Sequence, residues 1–440
     1  MHNLAIALLK QGNAVTGSDT EIFEPAKSRL KKYGLLPDVP GWDESRIDSK
    51  IDEIILGMYA KADNPELVKA QKLGIKIYSY PEYLYEHTKD KIRVVIGGSH
   101  GKTTITAMIL HVCEKNNIKC DYLVGSLLDG FEVMAKLSDD AKFAVFEGDE
   151  YLASALDKRP KFHLYKPNIA LISGITWDHV NVFPTFENYK EQFIKFADSV
   201  QEGGTLVYCR DDSQVVSIAE ETNKNINKIP YSMHPHVIKD GVTYLIYGKE
   251  EIPIRIFGRH NMVNIGGAKA ICNSMGISDE LFYSAIATFP GASKRLERVA
   301  DNGSTRVFKD FAHAPSKLKA SIDAVREQFP DSKLVTFFEL YTWSSLDRNF
   351  LKNYSGILNS ADVPIIFYDP AVVKSKGATV PNDDEIRKLF SDERISVFSD
   401  AGRVVDFLKT LDWKNMNLLM MSPGKYGGID IELLAKELVK

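Results

Sequence analysis

The chain of 440 residues carries 55 basic and 59 acidic side chains, which gives a formal net charge of −4. This balance excludes the strongly basic surface that binds a nucleic-acid backbone, and no apolar run approaches the ~20 residues of a membrane-spanning helix. We therefore expect an enzyme of about three domains, with neither nucleic acid nor a membrane as partner. Because the sequence lacks a signal-type opening and its four cysteines have no metal-ligand spacing, we expect it in the cytoplasm.

The first predicted domain, over residues 1–88, alternates helices with strands. Its predicted elements are a helix at Leu4–Leu9, a strand at Ala14–Thr16, a strand at Glu53–Gly57, a helix at Pro65–Leu73 and a strand at Lys76–Tyr78. Alternation of this kind indicates a parallel sheet, and so an α/β, Rossmann-like domain. Such a domain normally opens with a strand and a glycine-rich turn. We therefore expect that this piece, roughly 20 residues of a βα unit, is missing before the numbered start.

A glycine-rich loop lies near the start of the predicted central domain, over residues 89–292. The apolar strand Ile92–Ile96 runs into the loop Gly98-Ser99-His100-Gly101, and Lys102-Thr103-Thr104 then opens a helix. In such a loop the backbone N–H groups and the helix N-terminus bind phosphate, while the lysine neutralises the charge of the β and γ phosphates. We therefore predict an ATP site in which the Thr103 hydroxyl binds Mg²⁺. The alternative is a chance glycine turn before a helix.

Acidic and imidazole side chains follow two further strands of this domain. Glu147, Asp149 and Glu150 come at the end of one strand, and His179 follows the strand Ile169–Ile172. Carboxylates at such places hold Mg²⁺ directly or through water, and a histidine beside an aspartate is a metal ligand or a base. The alternatives are solvated strand ends and a structural histidine.

The C-terminal part, over residues 293–440, again alternates strands with helices. Its predicted strands are Arg306–Phe308, Leu334–Phe338, Val363–Phe367 and Asn417–Met421. We expect a second doubly wound, Rossmann-like domain, in which ligand contacts lie just after the strand ends. Asp310 and His313 occupy such a place, although an Asx-type turn before Pro315 explains them equally well.

Two further motifs flank the junction of the second and third predicted domains. Arg295 lies where its guanidinium could bind a transferring phosphoryl group. The alternative is an ordinary surface charge. Asn261 precedes an Ala- and Gly-rich helix, where an N-terminal turn can meet a base or a phosphate. The alternative for Asn261 is a capped helix start.

Taken in order, these motifs resemble the motif set of the Mur ligases, and the resemblance extends over nearly the whole chain. The residues that carry it are Gly98–Thr104, Glu147–Glu150, Asp178-His179, Gly258–Asn264, Arg295 and Asp310–Pro315. The resemblance implies a UDP-sugar-binding N-terminal domain, a central ATPase domain and a C-terminal domain that binds the amine substrate. It also implies ATP and Mg²⁺ as cofactors, and as partners UDP-N-acetylmuramate and a peptide or amino-acid amine.

The same resemblance implies roles for individual residues. Those implied in catalysis are Lys102, Glu150, His179 and Arg295, and those implied as metal ligands are Thr103, Glu150 and His179. Those implied in ATP binding are Gly98, Ser99, His100, Gly101, Lys102, Thr103, Thr104, Asn261, Arg295, Asp310 and His313. The expected contacts to the UDP-sugar substrate are Ser18, Asp19 and Asn64.

Two kinds of Mur ligase use UDP-N-acetylmuramate itself. One adds L-alanine, and the other, in murein recycling, adds the tripeptide L-alanyl-γ-D-glutamyl-meso-diaminopimelate. Tyr151, Asp157–Phe162 and Met421–Ile429 resemble the tripeptide ligase, while Glu339–Ser345 lacks the His-Arg-Tyr-Thr-Arg pattern of the alanine ligase. We therefore expect an ADP-forming ligase that uses the tripeptide through an acyl phosphate. The alternatives are the L-alanine ligase, a folylpolyglutamate or cyanophycin-type ligase, and a P-loop ATPase switch that needs no amine.

Overall fold

The computed structural model describes residues 1–58, 60–125, 131–177, 182–222, 224–292 and 295–440. This part of the chain forms two compact units, one made of residues 1–234 and 263–288 and the other of residues 235–262 and 289–440. This grouping does not decide the three domains expected from the sequence, which stay a prediction. No helix within the described ranges has the length and apolar character to cross a membrane.

Helices and strands alternate along the first unit. Its helices are α1 (His2–Lys10), α2 (Ala26–Lys32), α3 (Pro65–Lys72), α4 (Tyr80–Glu86), α5 (Lys102–Lys115), α6 (Lys161–Leu164), α7 (Phe186–Asp198), α8 (Ser213–Glu221), α9 (Arg259–Ser274), whose first residues belong to the second unit, and α10 (Asp279–Ile286). Its strands are β1 (Glu53–Leu56), β2 (Lys76–Ser79), β3 (Ile92–Gly97), β4 (Cys120–Leu123), β5 (Ala135–Lys136), β6 (Phe143–Glu147), β7 (Ile169–Ile172), β8 (Thr205–Cys209) and β9 (Asn227–Tyr231).

One seven-stranded sheet forms the centre of this unit. Its strand order is β5-β4-β6-β3-β7-β8-β9, while β1 and β2 form a separate parallel pair. Neighbouring strands of the large sheet are parallel except β4 and β5. The central strands β3, β6 and β7 are almost entirely buried, as a parallel sheet covered on both faces requires. Because these strands are parallel, their carboxyl ends meet at one edge of the sheet, and the loops that follow them carry the predicted ATP site.

Aromatic side chains of two helices pack against this sheet. Phe162 of α6 stacks on Phe196 of α7 with 4.6 Å between ring centroids, and Phe193 meets Phe162 edge to face. The three rings belong to one buried cluster with Val95 and Phe146 of the central strands. This packing fixes α7 against the sheet, so that side chains from its first turns can reach the loop after β3.

The second unit contains two sheets and seven helices of its own among the described residues. Its helices are α11 (Pro315–Gln328), α12 (Trp343–Leu346), α13 (Arg348–Leu351), α14 (Pro370–Ser375), α15 (Asp383–Phe390), α16 (Ala401–Thr410) and α17 (Ile431–Leu438). Its strands are β10 (His236–Lys239), β11 (Val242–Tyr247), β12 (Glu250–Ile254), β13 (Glu297–Asp301), β14 (Arg306–Asp310), β15 (Lys333–Glu339), β16 (Val363–Phe367), β17 (Ser396–Phe398) and β18 (Met416–Met421).

A six-stranded sheet forms the core of the second unit, in the order β13-β14-β18-β15-β16-β17. Its strands are parallel except β13, which runs antiparallel to β14. Side chains of β18 alternate between two buried clusters, with Leu419 and Met421 on one face and Leu418 and Met420 on the other. A sheet buried on both faces is what a doubly wound fold requires, and the α/β class predicted from the sequence is confirmed.

The structure departs from the predicted elements in two places. The strand predicted at Ala14–Thr16 is wrong, because these residues are irregular and Ala14 is exposed. A strand is stabilised by a ladder of hydrogen bonds to a neighbour, and within the described residues no strand pairs with this segment. The other departure is the antiparallel sheet β10-β11-β12, which the sequence analysis does not anticipate.

Candidate active site

Two glycines shape the loop between β3 and α5. Gly98 has a φ of +127° and Gly101 a φ of +79°, backbone conformations that residues with a side chain rarely adopt. A Cβ atom at Gly98 would lie 2.1 Å from the Ser173 hydroxyl oxygen, and one at Gly101 would lie 2.3 Å from Asn264 Oδ1. Both positions therefore need glycine, for backbone conformation and for space.

The N-terminus of α5 is open to an anion. Gly101 occupies the N-cap position, and no side chain caps this end of the helix. The first N–H groups of a helix have no intrahelical partners, and the helix dipole adds positive potential at the same point. Lys102, the first residue of the helix, adds a full positive charge. This arrangement suits a phosphate group, and phosphate binding here stays a prediction.

The Lys102 ammonium group lies between the loop and a carboxylate. Its Nζ donates to the Gly98 carbonyl oxygen at 2.6 Å and to Glu150 Oε2 at 2.7 Å. Burial disfavours the charged form of Lys102, but the negative charges of Glu150, Asp149 and Glu147 outweigh it and raise the pKa of Lys102 above its ordinary value. The lysine is therefore a cation at neutral pH and can neutralise phosphate charge.

The three carboxylates at the carboxyl end of β6 have separate partners. Glu147 accepts a hydrogen bond from the Thr103 hydroxyl at 2.8 Å and another from a backbone N–H group. Asp149 pairs with Lys161, whose Nζ lies 2.5 Å from Asp149 Oδ2. Burial disfavours the charged form of Asp149, but this ion pair prevails and lowers the pKa of the carboxyl group. Glu150 is buried and faces Lys102.

A tyrosine of α7 joins the loop to Glu150. The Tyr189 hydroxyl lies 3.0 Å from the Ser99 hydroxyl and donates to Glu150 Oε1 at 3.1 Å. The Ser99 hydroxyl oxygen also accepts from the Thr176 N–H group at 2.8 Å and lies 2.8 Å from the Thr176 carbonyl oxygen. Tyr189 is not among the site residues predicted from the sequence, because its spacing from Phe193 and Phe196 indicates only a buried helix face.

The oxygen ligands here fit Mg²⁺. The Thr103 hydroxyl and the carboxylates of Glu147 and Glu150 are hard oxygen donors, and Thr103 and Glu147 are in direct contact. In the described part of the chain no cluster of three or more His, Cys, Asp or Glu side chains forms a ready metal site. Mg²⁺ typically needs only one or two protein carboxylates beside phosphate oxygens and water. His179, the third predicted ligand, lies outside the described residues.

Two predicted contacts of the second unit, Arg295 and Asp310, lie near a half-buried histidine, His260. His260 lies close enough to Asp310 and Arg295 for their charges to act on it. Burial and Arg295 lower the pKa of His260, while Asp310 opposes them, so this imidazole is neutral at pH 7. The Arg295 guanidinium lies over the Phe311 ring, 5.3 Å from its centroid. The structure thus brings Arg295 and Asp310 together, with His260 as a member that the sequence analysis did not single out.

Other predicted nucleotide contacts make local hydrogen bonds. Asn261 donates from Nδ2 to the Phe257 carbonyl oxygen at 2.9 Å. A ring nitrogen of His313 lies 2.9 Å from the Phe311 carbonyl oxygen, and Asp310 accepts a hydrogen bond from the Ser321 hydroxyl. These bonds fix the side chains in place, and nucleotide binding by them stays a prediction.

The predicted sugar-nucleotide contacts make structural bonds in the first unit. The Ser18 hydroxyl donates to the Glu66 carboxylate, and Asp19 accepts from the N–H group of the next residue at 2.8 Å. Asn64 is buried and its Oδ1 caps the first turn of α3 at 3.1 Å. Substrate binding by Ser18, Asp19 and Asn64 stays a prediction.

A buried glutamate and an exposed tryptophan lie near the carboxyl end of β15 in the second unit. Glu339 accepts hydrogen bonds from the Tyr426 N–H group at 3.0 Å and from a serine hydroxyl. Burial raises the pKa of Glu339, although these bonds oppose the shift. Lys376 Nζ lies 4.8 Å from the centroid of the Tyr341 ring and 5.7 Å from that of Trp343, which is 64% exposed. This edge presents a cation and an exposed aromatic face.

Two family models match the chain. The Mur ligase middle domain matches residues 96–272, and the catalytic domain of the Mur ligase family matches residues 1–92. The UDP-N-acetylmuramate–L-alanyl-γ-D-glutamyl-meso-2,6-diaminoheptandioate ligase of Haemophilus influenzae is 25% identical over 450 residues, which cover 99% of this chain and 96% of that protein. The UDP-N-acetylmuramate–L-alanine ligase of Caldicellulosiruptor bescii is 30% identical over 383 residues, which cover 83% and 80%.

A solved structure has the same fold. The crystal structure of a UDP-N-acetylmuramate–alanine ligase from Thermotoga maritima superimposes with a TM-score of 0.70 at 21% identity, covering 100% of this chain and 95% of that one. Relatives with different acceptors in their names thus match at similar identity, so the comparisons establish the family and leave the acceptor open. On the family models and the long match at 30% identity, the chain belongs to the Mur ligase family.

Proposed function

We propose that this protein is an ATP-dependent, ADP-forming ligase that joins the carboxylate of UDP-N-acetylmuramate to the amine of a peptide, in the cytoplasm. The observation that carries the proposal is the open N-terminus of α5, with Lys102 and Glu150 paired beside it. This arrangement suits a nucleotide triphosphate and Mg²⁺, and family membership supplies the reaction class. Thr103, Glu147 and Glu150, with His179, would hold the metal.

The first chemical step activates the donor. A carboxylate is a poor acyl donor because oxide is a poor leaving group. In the proposed step a carboxylate oxygen of the sugar attacks the γ-phosphorus of ATP, the bond to the bridging oxygen breaks, and ADP leaves. Lys102 neutralises charge on the transferring phosphoryl group, the kind of stabilisation that dominates phosphoryl transfer. Mg²⁺, when bound, supplies further positive charge at the β and γ phosphates.

The second step forms the amide. The free amine of the acceptor attacks the carbonyl carbon of the acyl phosphate, inorganic phosphate leaves, and a base accepts the proton that the amine loses. His179 is a possible base, although we favour a metal-ligand role for it. Water must be kept from the acyl phosphate, because hydrolysis would waste ATP without forming the amide.

We favour the tripeptide L-alanyl-γ-D-glutamyl-meso-diaminopimelate as acceptor. The support is the stretch Glu339–Ser345, which begins at the last residue of β15. It includes Trp343, whose ring lies near Lys376 at this end of the sheet. A broad aromatic face and a cation suit a peptide that carries carboxylates, whereas a single alanine offers little surface to such a site. Addition of L-alanine is the second candidate, because relatives with that activity in their names match the chain at 28–30% identity.

The experiment that tests this proposal measures ADP release with UDP-N-acetylmuramate and either acceptor. We expect fast ADP release with the tripeptide and slow release with L-alanine or without an amine. Fast release with L-alanine alone would make the protein the alanine ligase. ADP release that is indifferent to both acceptors would contradict the ligase proposal and favour an ATPase switch.

A further inference from the structure

Tyr189 has a hydroxyl group that packing alone does not require. The side chain is fully buried in α7, and its ring packs edge to face on Phe193 and at a tilt on Phe183. A phenylalanine ring would keep both aromatic contacts. The hydroxyl instead lies within hydrogen-bond distance of two side chains of the candidate active site, those of Ser99 and Glu150.

These contacts close a ring through the phosphate-binding loop. Ser99 belongs to the loop, and its hydroxyl lies 3.0 Å from that of Tyr189. Tyr189 donates to one carboxylate oxygen of Glu150, and the other oxygen of Glu150 accepts from Lys102. Lys102 Nζ then returns to the loop by donating to the Gly98 carbonyl oxygen. The position of the Glu150 carboxylate is therefore set from both of its oxygens.

The segment that carries Glu150 is also held at its base. Asp149 pairs with Lys161 across the loop, and the Phe162 N–H group donates to the Asp149 carbonyl oxygen at 3.2 Å. These bonds hold the backbone on either side of Glu150. The Tyr189 hydroxyl holds one oxygen of the Glu150 side chain, from a helix anchored in the core.

We propose that Tyr189 is a positioning residue, whose hydroxyl holds the Glu150 carboxylate in place to bind Mg²⁺ with the nucleotide. This inference rests on the proposed function, since it concerns the same nucleotide site. A hydrogen bond to a buried charged group is strong because the low dielectric of the interior does not screen it. Loss of this bond should reduce the gain in ADP affinity that Mg²⁺ brings by about tenfold to a hundredfold.

The test is Tyr189→Phe, read by calorimetry of ADP binding with and without Mg²⁺. Without Mg²⁺ the affinity should be unchanged, because the α5 N-terminus and Lys102 remain. The gain in ADP affinity that Mg²⁺ brings should shrink about tenfold or more. In the ligation assay kcat should fall while KM for the acceptor stays constant.

Tyr165→Phe is the matched control. Tyr165 is likewise fully buried in the first unit, and among the described residues its hydroxyl has no hydrogen-bond partner. Its variant removes the same atom from a similar environment and should leave the Mg²⁺ effect unchanged. If Tyr189→Phe and Tyr165→Phe behave alike, Tyr189 is only a packing residue and the proposal is wrong.

A double-mutant cycle with Glu150→Gln makes the test specific. If Tyr189 acts through Glu150, its substitution should have little further effect in the Glu150→Gln background. Additive effects would overturn the proposal. Should Tyr189→Phe fail to fold, as judged by its melting temperature, Tyr189→4-fluorophenylalanine fills the space of the hydroxyl without donating to Glu150, and an unchanged Mg²⁺ effect there would also overturn it. ADP binding needs no acceptor, so it can be measured whether or not the protein joins an amine. If Tyr189→Phe loses the Mg²⁺ effect but the parent protein joins no amine, the proposed function is wrong and the role of Tyr189 stands.

Discussion

Lys102 links the loop, Glu150 and the open end of α5, and we therefore expect the proposed phosphoryl transfer to depend most on this residue. Lys102→Ala should lower the rate of amine-dependent ADP release by about a hundredfold to a thousandfold, because charge on the transferring group is left without its cation. Lys115→Ala, an exposed change at the other end of α5, is the control and should leave the rate unchanged. Turnover by Lys102→Ala at the parent rate, in a folded protein, would contradict this role.

Single residues differ in how far their roles can be predicted from the sequence. Lys102 and Thr103 are predictable because a strand, a glycine-rich loop and Lys-Thr at a helix start form a pattern with one physical use. Tyr189 is not, because a tyrosine at helical spacing among phenylalanines indicates a core position and nothing about its hydroxyl. Asn64 stands directly before Pro65, the first residue of α3. Asn followed by Pro is also the pattern of a helix N-cap, and the structure contains that cap.

The turn between β3 and α5 makes a prediction at the scale of the element. Gly101→Ala places a Cβ atom in the left-handed region and 2.3 Å from Asn264 Oδ1. Backbone strain of about 1–2 kcal/mol and displacement of the loop should together lower the melting temperature and weaken ADP binding at least tenfold. Calorimetry and thermal unfolding measure the two effects.

Gly203→Ala separates strain from the displacement of the loop. Gly203 has a φ of +70°, and a Cβ atom there would meet nothing within 4 Å. This variant should lose stability by a similar strain but bind ADP like the parent. Equal ADP affinities of the Gly101 and Gly203 variants would show that the turn is not needed for the nucleotide.

The elements themselves are predictable where burial dictates the sequence. β3, β6, β7 and β18 lie in sheets covered on both faces, so their residues form apolar runs that stand out along the chain. The strands β10 and β12 are short, mix polar and apolar residues that are mostly exposed or half-buried, and give no such run. The three-residue run at Ala14–Thr16 is apolar and therefore predicts a strand. It forms none, because no strand in the described part of the chain pairs with it.

At the scale of the whole molecule, the order of the motifs identifies the family better than any single motif does. The structure then adds what order cannot supply: within the first unit it brings Ser99, Lys102, Glu147 and Glu150 to one edge of a parallel sheet. Within the second unit it places Arg295 over the ring of Phe311, the residue next to Asp310. These neighbours are far apart in the sequence, so their contact depends on strand order, which local patterns do not encode.

The central claim is that the sugar carboxylate is activated as an acyl phosphate. The most direct test uses UDP-N-acetylmuramate with ¹⁸O in its carboxylate, unlabelled ATP and the tripeptide, and measures the isotope content of the released phosphate by mass spectrometry. The proposed steps predict transfer of one labelled oxygen to each phosphate, since the carboxylate oxygen that attacks the γ-phosphorus leaves with it. Phosphate released without the label would contradict the claim, because ATP would then be cleaved by water.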